Sequence, residues 1–269
     1  MGNLVIATPE LSDAAAITAS SAQATMPASN LKKMQPGDRW RATGDTAEYL
    51  EIDLGAAKDI NLVALLYHNA TSAATWQIRA ATSQANLTAA PGYDSGVINM
   101  WEAGWPADQD PLHARLWLGA GSQNFRWWRI DLADAANPDT WLEAGRVYVS
   151  KAWQLPSGKN IEYGWEMRRV DPSPRARTKG SQLYVEAQTM WRELMCSLNW
   201  LTEAEMYDNF GEIQRLRGAS RDVFVMRDPN ATAQLLRQSI YGLMSQLAPI
   251  THAQAQVFRS RLLVEEMLA

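Results

Sequence analysis

Residues 125–132 read FRWWRIDL, and two adjacent tryptophans between arginines are the strongest single constraint on what this chain can fold into. At a period of two, Phe125, Trp127, Arg129 and Asp131 face one way, while Trp128, Ile130 and Leu132 face the other. The neighbouring indoles then never share a face, so one is free to bury inward while the other stays among charges. A pleated ribbon is the conformation that makes this stretch soluble.

The same alternation recurs through the first half. In EYLEIDLG (48–55), Leu50, Ile52 and Leu54 alternate with Glu51 and Asp53, and Gly55 is expected to close the strand. DINLVALLYHN (59–69) is apolar on both faces and belongs in the middle of a sheet. TWQIRAAT (75–82) and RVYVSKAW (146–153) alternate again, LVIA (4–7) is a short opening strand, and residues 8–47 read as an irregular lead-in. With five or more strands and no long helix, the first half is expected to be an antiparallel β-sandwich.

QLPSGKN (154–160) is a Pro/Gly/Ser break, which divides the chain into expected domains 1–153 and 154–269. The second half is expected to be β-rich with one packed helix. IEYGWEMRRVD (161–171), QLYVEAQTMWRELMCSLNWL (182–201) and RDVFVMRDPN (221–230) read as strands, with Leu194, Cys196, Leu198 and Trp200 sharing a face. DPSPRARTKG (171–180) reads as a polar, basic loop. The helix is expected over about 202–217: Thr202 and Glu205 make a capping box, Leu201 and Met206 a hydrophobic staple, Met206, Phe210, Ile213 and Leu216 the apolar stripe, and Gly218 the stop. AQVFRSRLLVEEML (255–268) is ambiguous between strand and helix.

Chemistry is harder to find. The 269 residues include three histidines, none in a ligand-spaced group, and one cysteine, Cys196, placed on an apolar strand face; no catalytic residue and no metal ligand is assigned. Glu265 and Glu266 are adjacent, and strand geometry sends them to opposite faces. A net charge of −4 gives no basic field for nucleic acid, and no apolar stretch approaches a membrane span or an export signal, so neither nucleic-acid binding nor membrane insertion is expected.

What stands out is tryptophan, twelve against four phenylalanines. In MWEAGWPADQD (100–110), Trp101 and Trp105 lie outside any strand pattern beside carboxylates and a proline, which suits either a sugar ring needing a flat apolar face with polar partners or a lid over the sandwich. Arg168, Arg169, Arg175, Arg177 and Lys179 crowd twelve residues and are candidate contacts with another protein.

SNLKKMQPGDRWRA, YLEIDLGAAKDINLVALLYHNATSAATWQIRAAT and FRWWRIDLADAANPDTWLEAGRVYVSKAW together resemble the discoidin-type, galactose-binding-like sandwich, with Trp40, Asp53, Gly55, Asn69, Trp128 and Arg129 at matching positions. That resemblance implies a jelly-roll sandwich over residues 1–153 that touches carbohydrate or a partner through Trp40, His68, Asn69, Trp101 and Trp105, and it leaves room for a structural calcium. No other cofactor is expected. The second half, from RVYVSKAWQLPSGKN to SLNWLTEAEMYDNF and on through DVFVMRDP and SIYGLM, resembles the distal-tail and minor-tail proteins of long-tailed bacteriophages. The implied role is a non-enzymatic structural component of a tail tip or baseplate in the virion, ringed with copies of itself, contacting tail-tube and neighbouring baseplate proteins and host surface glycans. The alternative is a carbohydrate-binding module, either a non-catalytic lectin-like protein or an accessory domain attached to an enzyme.

Overall fold

The computed structural model describes residues 2–101, 113–231 and 234–269. The chain is mainly β, and it divides into two compact units. One runs to Leu155 and takes in Asp222–Ser239 and Ala269; the other comprises Pro156–Arg221 and Ile240–Leu268. The break at Leu155 lies inside the QLPSGKN segment, but the return of residues 222–239 departs from a simple division into 1–153 and 154–269.

That return has a physical cause. The strands are β1 (Val5–Ala7), flanked by β12 (Trp153–Gln154) on one edge and β17 (Asp222–Met226) on the other, with Ile6 opposite Trp153 and Val225. All five residues of β17 are buried. A run apolar on both faces gains most where neighbours cover both, and the first unit supplies them.

The sandwich of the first unit has a five-stranded antiparallel sheet in the order β2 (Ala16–Ala19), β4 (Glu48–Ile60), β9 (Gln123–Ala133), β6 (Thr75–Ala81), β7 (Tyr93–Asn99). A three-stranded sheet of β11 (Arg146–Ser150), β5 (Leu62–Leu66) and β8 (His113–Trp117) completes it, with β5 in the middle as its apolar run requires. One core joins them: Leu50, Ile52, Trp76, Ile78, Trp128 and Ile130 from the first sheet, Val63, Leu65, Ala114, Val147 and Val149 from the second. Trp40, Trp76 and Trp128 are 0%, 2% and 0% exposed. At roughly 150–250 Å² per large aromatic and about 25 cal/mol per Å², each contributes on the order of 4–6 kcal/mol of transfer free energy as an upper bound.

FRWWRIDL behaves as its alternation predicts over most of its length. Trp128, Ile130 and Leu132 are buried, and Trp127, Arg129 and Asp131 lie on the outer face, where Arg129 pairs with Glu51 and Asp131 at 2.8 Å each and stacks 3.6 Å over Tyr49. Phe125 departs from it. β4 is not closed by Gly55 but runs on to Ile60, with Gly55 at φ 75° inside a register shift between Asp53 and Lys58, and Phe125 lies beyond that shift and packs on the core. Only glycine takes a positive φ without steric cost, so the turn signal marks a bulge here instead of an end. The lead-in is also more ordered than expected: β2 joins the sheet edge, a 3-10 turn spans Ala28–Lys32, and β3 (Trp40–Arg41) pairs with β10 (Glu143–Ala144).

The second unit is a sheet in the order β18 (Ser239–Leu247, from Ile240 on), β20 (Val257–Glu266), β16 (Trp191–Leu201), β13 (Glu166–Val170), with β19 (Thr251–Gln254) also pairing with β20. The ambiguous carboxyl-terminal segment is thus a strand, and Glu265 and Glu266 fall on opposite faces: Glu266 is buried and bonded by Arg192, Glu265 half-buried. The basic segment is a ribbon, β14 (Arg175–Arg177) with β15 (Leu183–Val185), not an irregular loop. Trp200 leaves the face assigned to it. At φ 65° in a register shift between Leu198 and Leu201 it is 56% exposed, and Leu201, 0% exposed, takes the inward position.

The helix begins as expected: Thr202 Oγ1 accepts from Glu205 N at 3.3 Å, and Glu205 Oε2 accepts from Thr202 N at 2.8 Å. Its middle, Met206–Gly211, winds as a π-helix before Glu212–Arg217 resumes α geometry and Gly218 ends it at φ 55°. Met206 and Phe210 are buried, but the wider turns rotate the stripe, and Leu216 is 37% exposed.

Candidate functional site

β4 and β9 are antiparallel, with Glu48 opposite Leu132, and β5 and β11 likewise, with Leu66 opposite Arg146. These registers bring one set of connections to one end of the sandwich: 20–47 after β2, 67–74 between β5 and β6, Met100 and Trp101 after β7, and 134–145 between β9 and β11. Of the residues assigned from sequence, Trp40, His68, Asn69 and Trp101 lie on these connections or next to them, together with several that were not assigned.

The two-residue ladder of β3 and β10 sets Arg41 directly across from Glu143. Arg41 donates to Glu143 Oε2 from Nε at 2.9 Å and approaches it at 2.7 Å through a second nitrogen; Arg39 pairs with the other oxygen. The Arg41 guanidinium stacks 4.7 Å from the centre of the Trp141 ring, and Trp141 is half-buried. The result is an indole held in place by a cation, itself fixed by a carboxylate that is 9% exposed.

Asn69 fastens the 134–145 loop to this pair. Its Nδ2 donates to Asp139 Oδ2 and the Trp141 carbonyl, both at 3.0 Å, and its Oδ1 accepts from Glu143 N at 2.9 Å. Asp134 accepts from the backbone N–H and hydroxyl of Thr71, each at 2.7 Å. Trp101 is half-buried, packs on the core and donates from Nε1 to the Ala70 carbonyl at 3.0 Å. Trp105 lies outside the described residues.

Two of the assigned residues do not face solvent. Trp40 is 0% exposed with its Nε1 on the Ser21 carbonyl at 3.0 Å, so it is core and offers no platform. His68 is 6% exposed; burial pushes its pKa down to about 3, and its Nδ1 accepts from Ala70 N at 3.2 Å, which fixes a neutral ring. Neither can carry a proton or a sugar at neutral pH. Trp141 was missed. It has the same signal that singled out Trp101 and Trp105, a tryptophan beside Pro138 and Asp139 outside any strand, but its stacking partner is a hundred residues away in sequence.

The five basic residues belong to the second unit. Arg168 pairs with Glu193 across β13 and β16 at 2.6 Å, Arg175 lies 3.5 Å from Asp171, and Arg177 donates to the Ser181 carbonyl at 3.2 Å, while Arg169 and Lys179 are exposed. Burial pushes the Cys196 thiol up to about 12, so it is no nucleophile. Among the described residues no three His, Cys, Asp or Glu side chains are grouped to hold a metal ion. What the loop end offers is a flat apolar ring among fixed donors and acceptors, a set suited to binding and not to proton transfer.

No protein-family model matches this chain, and no curated protein does. Among solved structures, a family 32 carbohydrate-binding module from the NanJ protein of Clostridium perfringens, in complex with galactose, is similar at 14% identity and a TM-score of 0.38 over 53% of this chain and 96% of that one. A chitosan-binding module of a chitosanase/glucanase from Paenibacillus sp. IK-5 gives 16% identity and 0.36 over 55% and 98%. The lectin domain of lectinolysin, complexed with Lewis B antigen, gives 10% identity and 0.37 over 55% and 100%.

Proposed function

We propose that the first unit is a non-catalytic carbohydrate-binding module that takes its ligand at the 134–145 loop end. The observation that carries this reading is the half-buried Trp141 with Arg41 stacked on it and with Asn69, Asp139 and Arg39 around it. An indole face receives the C–H side of a pyranose, and the charged groups bond its hydroxyls; each is already held in place by its own contacts, which supports the reading. Trp101 extends the apolar surface from the neighbouring loop.

A glycan array probed with the full chain tests the proposal, followed by titration of the best glycan against Trp141→Ala and Trp101→Ala. Each substitution is expected to weaken binding about ten-fold, the effect of losing about 1.4 kcal/mol of stacking. Absence of binding across neutral and acidic surface glycans rejects it.

A second reading, the repeated component of a phage tail tip implied by the sequence resemblance, is favoured by one observation. Residues 174–190 are exposed without interruption, including Leu183, Tyr184, Val185 and Met190 at 54%, 64%, 44% and 49%. A two-stranded ribbon is marginal in water by itself, and one with apolar side chains on it suits burial by a neighbouring copy or protein. Sedimentation of the full chain tests this reading: Leu183→Ser with Tyr184→Ser is expected to shift an oligomer to monomer, and a parent chain that is monomeric at high concentration removes the self-assembly reading.

A further inference from the structure

On the open face of the second unit's sheet, β20 carries Arg259 and Arg261 two residues apart, hence on one side of the strand and about 7 Å from each other along it. They line a cavity of about 420 Å³ with Ser197 and Asn199 of β16, Gln246 of β18 and Thr251 of β19. Ser197 stands directly opposite Arg261, and Thr251 opposite Arg259.

Neither Arg259 nor Arg261 is paired with an acid among the described residues. Five other strand arginines have an acid beside them: Arg79 with Asp131, Arg126 with Asp53, Arg129 with Glu51, Arg168 with Glu193, Arg192 with Glu266. The chain has 29 acidic residues against 25 basic ones, so acids are not scarce. Yet the strands beside β20 set Ser197 and Thr251 opposite its two arginines, and although Glu162 lies on the same rim, among the described residues neither arginine makes an ion pair. Two like charges held this close on a sheet repel, and an anion between them removes that cost.

We propose that this cavity binds an anionic saccharide, with the carboxylate of a uronic acid between Arg259 and Arg261. The guanidinium forks match a planar carboxylate. Ser197, Asn199, Gln246 and Thr251 supply neutral donors and acceptors for ring hydroxyls, Glu162 on the same rim accepts from another, and Leu263 gives the ring an apolar floor. The site lies in a different unit from Trp141 and does not rest on the reading given for the loop end.

The test is calorimetric titration of the full chain with trigalacturonate and triglucuronate, against neutral galactose and glucose trisaccharides, sulfate and phosphate. The acidic sugars are expected to bind, with affinity falling as salt is raised, and Arg259→Gln with Arg261→Gln to weaken them roughly ten-fold or more, since a bond to a charged group is worth about 1.5–3 kcal/mol. Both arginines are exposed, so the variant is expected to melt with the parent, and Ser197→Ala provides an independent weakening. Trp141→Ala is expected to leave this binding unchanged. The proposal is overturned if neutral sugars bind as well as acidic ones, if the double variant binds the acids like the parent, if only sulfate and phosphate respond, or if Trp141→Ala abolishes the response.

Discussion

Arg146 is 1% exposed, donates to Asp13 at 2.6 and 3.0 Å and to Asp222 at 2.9 Å, and reaches the Leu31 carbonyl at 3.2 Å; Tyr148 bonds the same Asp222 oxygen at 2.9 Å. A guanidinium taken out of water is costly unless its charge and its N–H groups are all met, and here two carboxylates from distant segments meet them. Asp222→Ala removes the carboxylate that the buried Arg146 and Tyr148 both bond. We expect a loss of about 3 kcal/mol in urea unfolding, most of it recovered by no single further substitution at Tyr148. His68 makes a pH statement at the same scale. Its folded pKa of about 3 lies below the ordinary 6.5, so above pH 6.5 both states are neutral. Below that, the unfolded chain takes a proton that the folded chain refuses, and stability falls between pH 6.5 and 3 at up to about 1.4 kcal/mol per pH unit from this residue. In parallel urea titrations at pH 7 and pH 5, His68→Gln is expected to show a smaller drop than the parent; an equal drop means the ring is protonated in the folded state.

The elements differ in how local their causes are. The helix start is written within four residues, and Thr202→Ala is expected to cost about 1 kcal/mol, read as a lower melting temperature. Gly242 is a close approach between strands: a Cβ there would lie 1.8 Å from the Glu265 carbonyl oxygen, opposite Glu266 in the ladder of β18 and β20. Gly242→Ala therefore forces the strands apart, and we expect a loss of several kcal/mol or failure of the second unit to fold, seen as loss of its amide protection in hydrogen exchange. The strands of the sandwich were legible because period-two alternation and apolar runs are properties of adjacent residues. Gly55 and Trp200 were misread because a bulge is decided by the partner strand: the same glycine or tryptophan ends a strand, or flips within it, according to a register no single segment contains. The loop-end site was half legible for the same reason. Asn69 and Trp101 stand out from their neighbours, whereas the Trp141 platform exists only because β3 and β10 pair Arg41 with Glu143, 102 residues apart.

At the scale of the molecule, the first unit is not a continuous piece of chain. β17 covers one edge of β1, and Asp222 completes the charge of Arg146, so a chain cut after Leu155 lacks both. Such a fragment is expected to lose its near-ultraviolet circular dichroism and to unfold without a sharp urea transition, and a fragment in which residues 222–239 are tethered back by a flexible linker is expected to regain both. A cooperative transition from the short fragment would mean that β17 is an ornament to the sandwich. The discontinuity also orders events on the ribosome. Strands β1 to β12 emerge first, but the partner that seals β1 follows only after residues 156–221 have been translated, so the newborn polypeptide carries a bare hydrogen-bonding edge for that interval and depends on chaperones or on speed to keep it from pairing with a stranger.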